Sequence, residues 1–144
     1  MLEDLRMKLL SMVFAVAACG SSNQQIGEIH YQVTGGLSGT GDGTSMQIEP
    51  GGAVTRQTRA HGQEQGQLPR ALLDDIVSKI KDADLPSLEM TYGCSCADDL
   101  VDELVVQIDG TGRTVAVSKS SDSAPAELLT ALDAVRAAVD APLQ

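Results

Sequence analysis

Residues 104–118 constrain the fold more than any other segment, because apolar and polar residues alternate on both sides of a turn. The apolar positions are Leu104, Val106 and Ile108 before the turn, and Val115 and Val117 after it. This period of two residues is typical of strands with one buried face, and the turn Asp109-Gly110-Thr111-Gly112 connects the two strands tightly. The segment therefore predicts an antiparallel hairpin that needs a covering layer on one side.

Two further segments carry apolar residues at the spacing of a one-sided helix. One follows Pro69 and ends at Asp84-Leu85-Pro86, and the other follows Pro125. Proline suits the first turn of a helix. The stripes consist of Leu72, Leu73, Ile76, Val77 and Ile80, and of Leu128, Leu129, Leu132, Val135 and Val139. Two such helices are suited to covering one face of a sheet.

Three more strands are predicted in the first half of the chain, near residues 29–33, 44–48 and 53–59. A glycine-rich loop at 34–43 and the turn Pro50-Gly51-Gly52 separate them, and residues 60–67 are expected to form a mobile connection. The predicted fold class is α+β, with an antiparallel sheet of about five strands and two helices on one face, in the order β-β-β-α-β-β-α. Residues 28–144 are expected to form a single domain.

Residues 1–18 have the pattern of a secretory signal peptide, with Lys8 before an apolar run that is too short to span a bilayer. A signal peptide begins with a positively charged segment, whereas Glu3 and Asp4 are acidic. This difference suggests Met7 as the true translation start. Val16-Ala17-Ala18-Cys19 resembles the bacterial lipobox, in which cleavage leaves the cysteine as the new N-terminus and its sulfur carries a diacylglycerol. The alternative is an ordinary signal peptide in which Cys19 is incidental.

Lipidation of Cys19 would make residues 19–27 a lipidated N-terminus and a polar tether. More than one acyl chain is needed for stable membrane anchoring. By analogy with lipoprotein sorting, Gly20 in place of aspartate after Cys19 favours an outer membrane or cell surface. We therefore expect an exported protein that is bound to a membrane through its lipid.

Composition argues against highly anionic partners and against sites that bind by stacking on aromatic rings. The formal net charge of -10 argues against nucleic acid and anionic lipid surfaces. Outside the signal segment, the aromatic residues are Tyr31 and Tyr92, which is too few for stacking platforms that bind bases or sugars.

If Cys19 is lipidated, Cys94 and Cys96 are the two cysteines left that could pair, and we predict a disulfide between them. Residues two apart form a strained, easily reduced bridge, and an exported location favours oxidation. A redox-active pair is the alternative, but neighbouring carboxylates would raise the pKa of a thiol. A zinc site would also need His30 and His61, which lie in unrelated segments. We predict no metal site.

Four acids follow the cysteines, namely Asp98, Asp99, Asp102 and Glu103. Their spacing lacks the glycine turn of a calcium loop, so we predict a solvated acidic surface. Gly36-Leu37-Ser38-Gly39 does not have the spacing of a nucleophile elbow, and Gly39-Thr40-Gly41-Asp42-Gly43 lacks the lysine of a phosphate loop. These patterns predict a non-enzymatic binding domain with no catalytic residues and no cofactor other than the lipid.

The order of elements resembles emfourin, a family of small proteinaceous inhibitors of thermolysin-like metalloproteases, over residues 29–139. The resemblance rests on Thr34-Gly35-Gly36-Leu37-Ser38-Gly39 after the first strand, on Leu68-Pro69 opening a helix, on the hairpin, and on the closing helix with Pro125, Leu128 and Leu129. The lipid anchor, Cys94, Cys96 and the acidic segment depart from the family pattern.

The resemblance implies that the protein occupies the cleft of a secreted or envelope zinc metalloprotease. The implied inhibitory loop consists of Gly35, Gly36, Leu37, Ser38 and Gly39, with Leu37 as the side chain that fills a hydrophobic pocket. In the alternative arrangement, Leu37 packs under the sheet. The alternative function is a cell-envelope lipoprotein with a structural or partner-binding role, acting through the sheet face that the helices leave uncovered.

Overall fold

The computed structural model describes residues 23–94 and 98–144. Within these ranges the chain forms a seven-stranded sheet and two α-helices. The strands are β1 (Ile26–Gly35), β2 (Ser45–Ile48), β3 (Ala53–Thr58), β4 (Gly62–Gln67), β5 (Thr91–Tyr92), β6 (Leu100–Ile108) and β7 (Thr111–Ser118). The helices are α1 (Arg70–Ala83) and α2 (Ala126–Asp140), and a 3-10 turn at Leu85–Ser87 follows α1.

The strand order across the sheet is β4-β3-β2-β1-β6-β7-β5. Neighbouring strands are antiparallel except β5 and β7, which are parallel. The predicted α+β class is therefore correct, while the predicted antiparallel sheet of about five strands is corrected to a mixed sheet of seven in the described residues. The first strand lies in the middle of the sheet, because it pairs with both β2 and β6.

The strand β4 corrects the prediction of a mobile connection at residues 60–67. Its sequence has no alternation of apolar residues, so the usual strand signal is missing. It is nevertheless paired with β3 along its whole length, from Ala53 opposite Gln67 to Thr58 opposite Gly62. Gln67 also exchanges backbone hydrogen bonds of 3.0 and 2.9 Å with Gln144, which fixes the end of β4 to the end of the chain.

The core lies on one face of the sheet. Along β1, the side chains of Ile29, Tyr31 and Val33 are buried, while those of His30 and Gln32 are exposed. The same face of the other strands and the helices completes the core with Met46, Ile48, Val54, Leu104, Val106, Ile108, Val115, Val117, Leu73, Ile76, Ile80, Leu128, Leu132 and Val135. This agrees with the predicted packing of both helices on one face, and it leaves the opposite face of the sheet open.

The hairpin between β6 and β7 turns at Asp109 and Gly110, whose φ values of 51° and 80° are those of a tight left-handed turn. The backbone N–H of Gln25 donates a hydrogen bond of 2.9 Å to the Asp109 carboxylate. The backbone N–H of Asp109 in turn donates to the Gln25 carbonyl at 3.0 Å. The turn therefore holds the chain that enters β1.

Among residues 23–94 and 98–144, the helices are too short or too polar to cross a membrane.

Candidate functional site

The glycine-rich loop after β1 is held by backbone hydrogen bonds, both within the loop and to the residue before β6. The Gly36 N–H donates to the Asp99 carbonyl at 2.9 Å, and the Gly41 N–H donates to the Gly35 carbonyl at 2.8 Å. Gly41 has φ 68°, and a Cβ there would lie 1.9 Å from the Val33 carbonyl oxygen. Only glycine fits this position, since any side chain would overlap the backbone of β1.

Leu37 lies at the tip of this loop with 91% of its surface exposed. The two polar residues after the tip are tied together, because the hydroxyls of Ser38 and Thr40 are 2.9 Å apart. Leu37 therefore does not pack under the sheet. Met90, near β5, is the other large apolar residue that is exposed among the described residues, at 70%.

Asp99 supports the base of the loop from behind. Its carbonyl accepts the Gly36 N–H, and its carboxylate accepts hydrogen bonds from the hydroxyls of Ser118 and Ser120, the latter at 2.5 Å. These contacts connect the loop to the end of β7. Asp99 is thus a positioning residue of the loop rather than part of a fully solvated surface.

Cys94 is disulfide-bonded. Cys19 and Cys96 lie outside the described residues, as does the whole predicted signal segment at 1–18. The pairing of Cys94 with Cys96 and the lipidation of Cys19 therefore stay predictions.

Asp102 corrects the prediction of a solvated acidic surface. Its side chain is fully buried on the core face of β6, where it accepts a hydrogen bond of 2.5 Å from the Tyr31 hydroxyl. The Arg136 guanidinium of α2 forms an ion pair with the same carboxylate. The sequence held a signal for this position, because Asp102 precedes Leu104 by two residues and so continues the buried face of the strand.

The buried network raises the pKa of both side chains that contact the Asp102 carboxylate. Burial raises the pKa of Tyr31, and the adjacent Asp102 carboxylate raises it further. Burial alone would lower the pKa of Arg136, but its hydrogen bonds and charge attraction to Asp102 outweigh this and raise it above the usual range. The network therefore holds a neutral phenol and a charged guanidinium around one carboxylate.

The open face of the sheet carries mostly polar side chains in rows that cross the strands. One row is Gln63, Gln57, Ser45, Gln32, Glu103 and Ala116, and the next row is Gln65, Thr55, Gln47, His30, Val105 and Thr114. Side chains in such rows are close enough to interact with their neighbours. The Gln32 amide accordingly donates to the Glu103 carboxylate at 2.7 Å.

A depression of about 490 Å³ lies over these rows. Its polar lining includes His30, Gln32, Ser45, Gln47, Thr55, Gln57, Gln63, Glu103 and Gln107. Tyr31, Met46 and Arg56 also border it, but their side chains are buried on the opposite face, where the Arg56 guanidinium donates to the carbonyls of Ala138 and Ala141 at 2.8 and 2.6 Å. The His30 ring contacts the Glu28 carboxylate, and this hydrogen bond lowers the pKa of Glu28.

The arrangement offers hydrogen bonds over a broad polar surface and one exposed leucine on a fastened loop. Within residues 23–94 and 98–144, no group of three or more histidine, cysteine or acidic residues is placed to hold a metal ion. No family model matches the chain, and a search of curated proteins also finds no match.

Proposed function

We propose that this protein is a membrane-anchored bacterial lipoprotein that inhibits a thermolysin-like metalloprotease through its loop at residues 35–39. The observation that carries the proposal is the position of Leu37, which is 91% exposed at the tip of a loop closed by backbone hydrogen bonds. Single exposed apolar side chains are common on protein surfaces, so the support comes from the ordered loop, which holds Leu37 in a fixed position where it can enter a pocket. The resemblance to emfourin suggests the type of partner.

The closed loop suits binding for two physical reasons. Hydrogen bonds from Gly36 and Gly41 order the loop before it meets a partner, which lowers the entropy lost on binding. Burying the Leu37 side chain in an apolar pocket would contribute about 1.5–3 kcal/mol. The glycines on either side let the backbone approach a narrow cleft closely.

The inhibitory role is tested with a panel of thermolysin-like proteases and the full chain in detergent. We expect inhibition constants in the picomolar to micromolar range, weakened about tenfold or more by Leu37→Asp, because a carboxylate in an apolar pocket is strongly disfavoured. Met90→Asp is the matched control, since it places the same charge at the other exposed apolar residue. No inhibition across the panel, or equal losses for both variants, would contradict the proposal.

The membrane anchor rests on the sequence pattern around Cys19. Cells that express the full chain are labelled with radioactive palmitate, and the wild-type protein is compared with Cys19→Ser and with Cys96→Ser. We expect the label to be lost in Cys19→Ser and kept in Cys96→Ser. Label that persists in Cys19→Ser would remove the anchor from the proposal.

The open sheet face favours a second candidate function, a cell-envelope lipoprotein with a structural or partner-binding role. The supporting observation is the pair of polar rows that crosses the uncovered face. Affinity capture from envelope extracts separates the two candidates. A captured zinc protease favours inhibition, whereas captured wall or assembly components favour the second role.

A further inference from the structure

The depression on the open face has the chemistry of a ligand site, and we propose that it binds an uncharged oligosaccharide. This inference rests on the second candidate function and does not depend on protease inhibition. The volume of about 490 Å³ lies within the range of small-molecule sites. The sugar class follows from the polar groups that line the depression.

Amide side chains dominate the lining. The glutamines that border the depression are Gln32, Gln47, Gln57, Gln63 and Gln107. An amide offers both donors and an acceptor, so neighbouring amides on the sheet match a ligand whose hydroxyl groups also donate and accept. The Glu103 carboxylate adds an ionised acceptor beside Gln32, and hydroxyl donors bind such acceptors strongly.

His30 and Val105 form a less polar part of the lining, on the β1 and β6 side of the depression. They are direct neighbours across β1 and β6, and the His30 side chain is 46% exposed. The imidazole ring and the valine methyl groups present a surface for the C–H groups of a sugar ring. Because the site lacks the tyrosine or tryptophan platform of tight sugar binders, its affinity comes from several hydrogen bonds and is modest.

The charges around the depression disfavour an anionic ligand. Glu103 lines it, and Glu28 contacts His30 at its border. Arg56 is the one arginine among the described lining residues, and its guanidinium already binds the Glu64 carboxylate and the carbonyls of Ala138 and Ala141. Phosphorylated or carboxylated ligands would therefore meet negative charge without a compensating cation.

The test is a nuclear magnetic resonance titration of the full chain, labelled with nitrogen-15, in a detergent without a sugar headgroup. The probes are maltotetraose and chitotetraose, which are neutral, with a galacturonic acid tetramer and a glucosamine tetramer as anionic and cationic comparisons. We expect the neutral sugars to shift the side-chain amide signals of the lining glutamines and the backbone signals of His30 and Glu103. The acidic tetramer should leave them unchanged.

Two variants and one control locate the site. Gln32→Ala and His30→Ala should each weaken binding of the neutral sugar about tenfold, through a lost amide pair and a lost ring contact. Gln65→Ala is the matched control, because Gln65 lies on the same face but outside the depression. Unchanged melting temperatures show that the variants are folded.

The proposal is overturned if neither neutral sugar shifts these signals, or if Gln65→Ala weakens binding as much as Gln32→Ala does. Binding by the cationic tetramer alone would also overturn it, since that result reports only the acidity of the surface. We expect Leu37→Asp to keep sugar binding and Gln32→Ala to keep protease inhibition. These two results would show that the failure of one proposal does not affect the other.

Discussion

Replacing Arg136 by methionine should destabilise the fold more than any substitution at an exposed ion pair. The change keeps the aliphatic length of the side chain but removes the guanidinium that pairs with Asp102. The Asp102 side chain is 0% exposed, so it cannot reach water when this partner is lost. The Tyr31 hydroxyl, at 2.5 Å, remains as a neutral donor and compensates only part of the charge.

The magnitude follows from the burial of the Asp102 carboxylate. An uncompensated buried charge costs about 3–5 kcal/mol, which is a large share of the roughly 5–15 kcal/mol that stabilises a typical domain. Substitution of the other member of the pair, Asp102→Asn, should cost about 1.5–3 kcal/mol, the usual value for a lost hydrogen bond to a charged group. It costs less because the Arg136 side chain is 36% exposed and also pairs with Asp133 at 2.8 Å.

The measurement is urea denaturation followed by circular dichroism near neutral pH, with the free energy of unfolding extrapolated to water. Arg70→Met is the control, because the Arg70–Asp74 pair on α1 is 80% and 61% exposed and should contribute less than about 1 kcal/mol. The reasoning is refuted if Arg136→Met is no more destabilising than Arg70→Met. It is also refuted if Asp102→Asn is more destabilising than Arg136→Met.

Two further predictions concern the loop and the buried phenol. An alanine forced into the left-handed region costs roughly 1–2 kcal/mol. Gly39→Ala should destabilise the domain by only this amount in the same urea assay, because Gly39 has φ 71° and open space around it. Gly41→Ala should cost more, because its Cβ would also overlap the Val33 carbonyl. Because the pKa of Tyr31 is raised in the folded protein, the phenol loses its proton at lower pH in the unfolded chain than in the folded one. The stability that the neutral Tyr31 phenol contributes is therefore complete below about pH 10 and is lost as the pH rises above that value. Melting temperatures measured above pH 10 should fall less steeply in Tyr31→Phe than in the wild type, and parallel curves would contradict the assignment.

The sequence predicts the elements whose buried residues repeat with a clear period. The alternation in β1 and in the hairpin, and the stripes of α1 and α2, are each long enough to show which side is buried. The strand β4 could not be predicted in this way, because its residues are glycine, glutamine and one glutamate. Its stability depends on pairing with β3 and with Gln144, contacts between segments far apart in the sequence.

The candidate sites were predictable to different degrees. The glycine pattern located the loop at residues 35–39, but the exposure of Leu37 depends on the bond from Gly36 to Asp99, more than sixty residues away. The outward direction of His30 is implied by the alternation of Ile29, Tyr31 and Val33 in the sequence, whereas its neighbours Gln47 and Val105 depend on strand order and register. Asp102 was misinterpreted because three other acids surround it in the sequence, and they outweighed its place in the strand period.

The strand β1 connects the open face, the buried network and the loop, on which the proposals rest. His30 belongs to the open face, Tyr31 to the buried network, and Gly35 to the loop. Asp102 lies opposite Val33 of β1, and it is three residues from Asp99, whose carbonyl holds Gly36. We therefore expect Asp102→Asn to weaken protease inhibition and sugar binding together at temperatures where the domain is still folded. Leu37→Asp and Gln32→Ala should each weaken one activity alone, because their side chains project from this framework without supporting it.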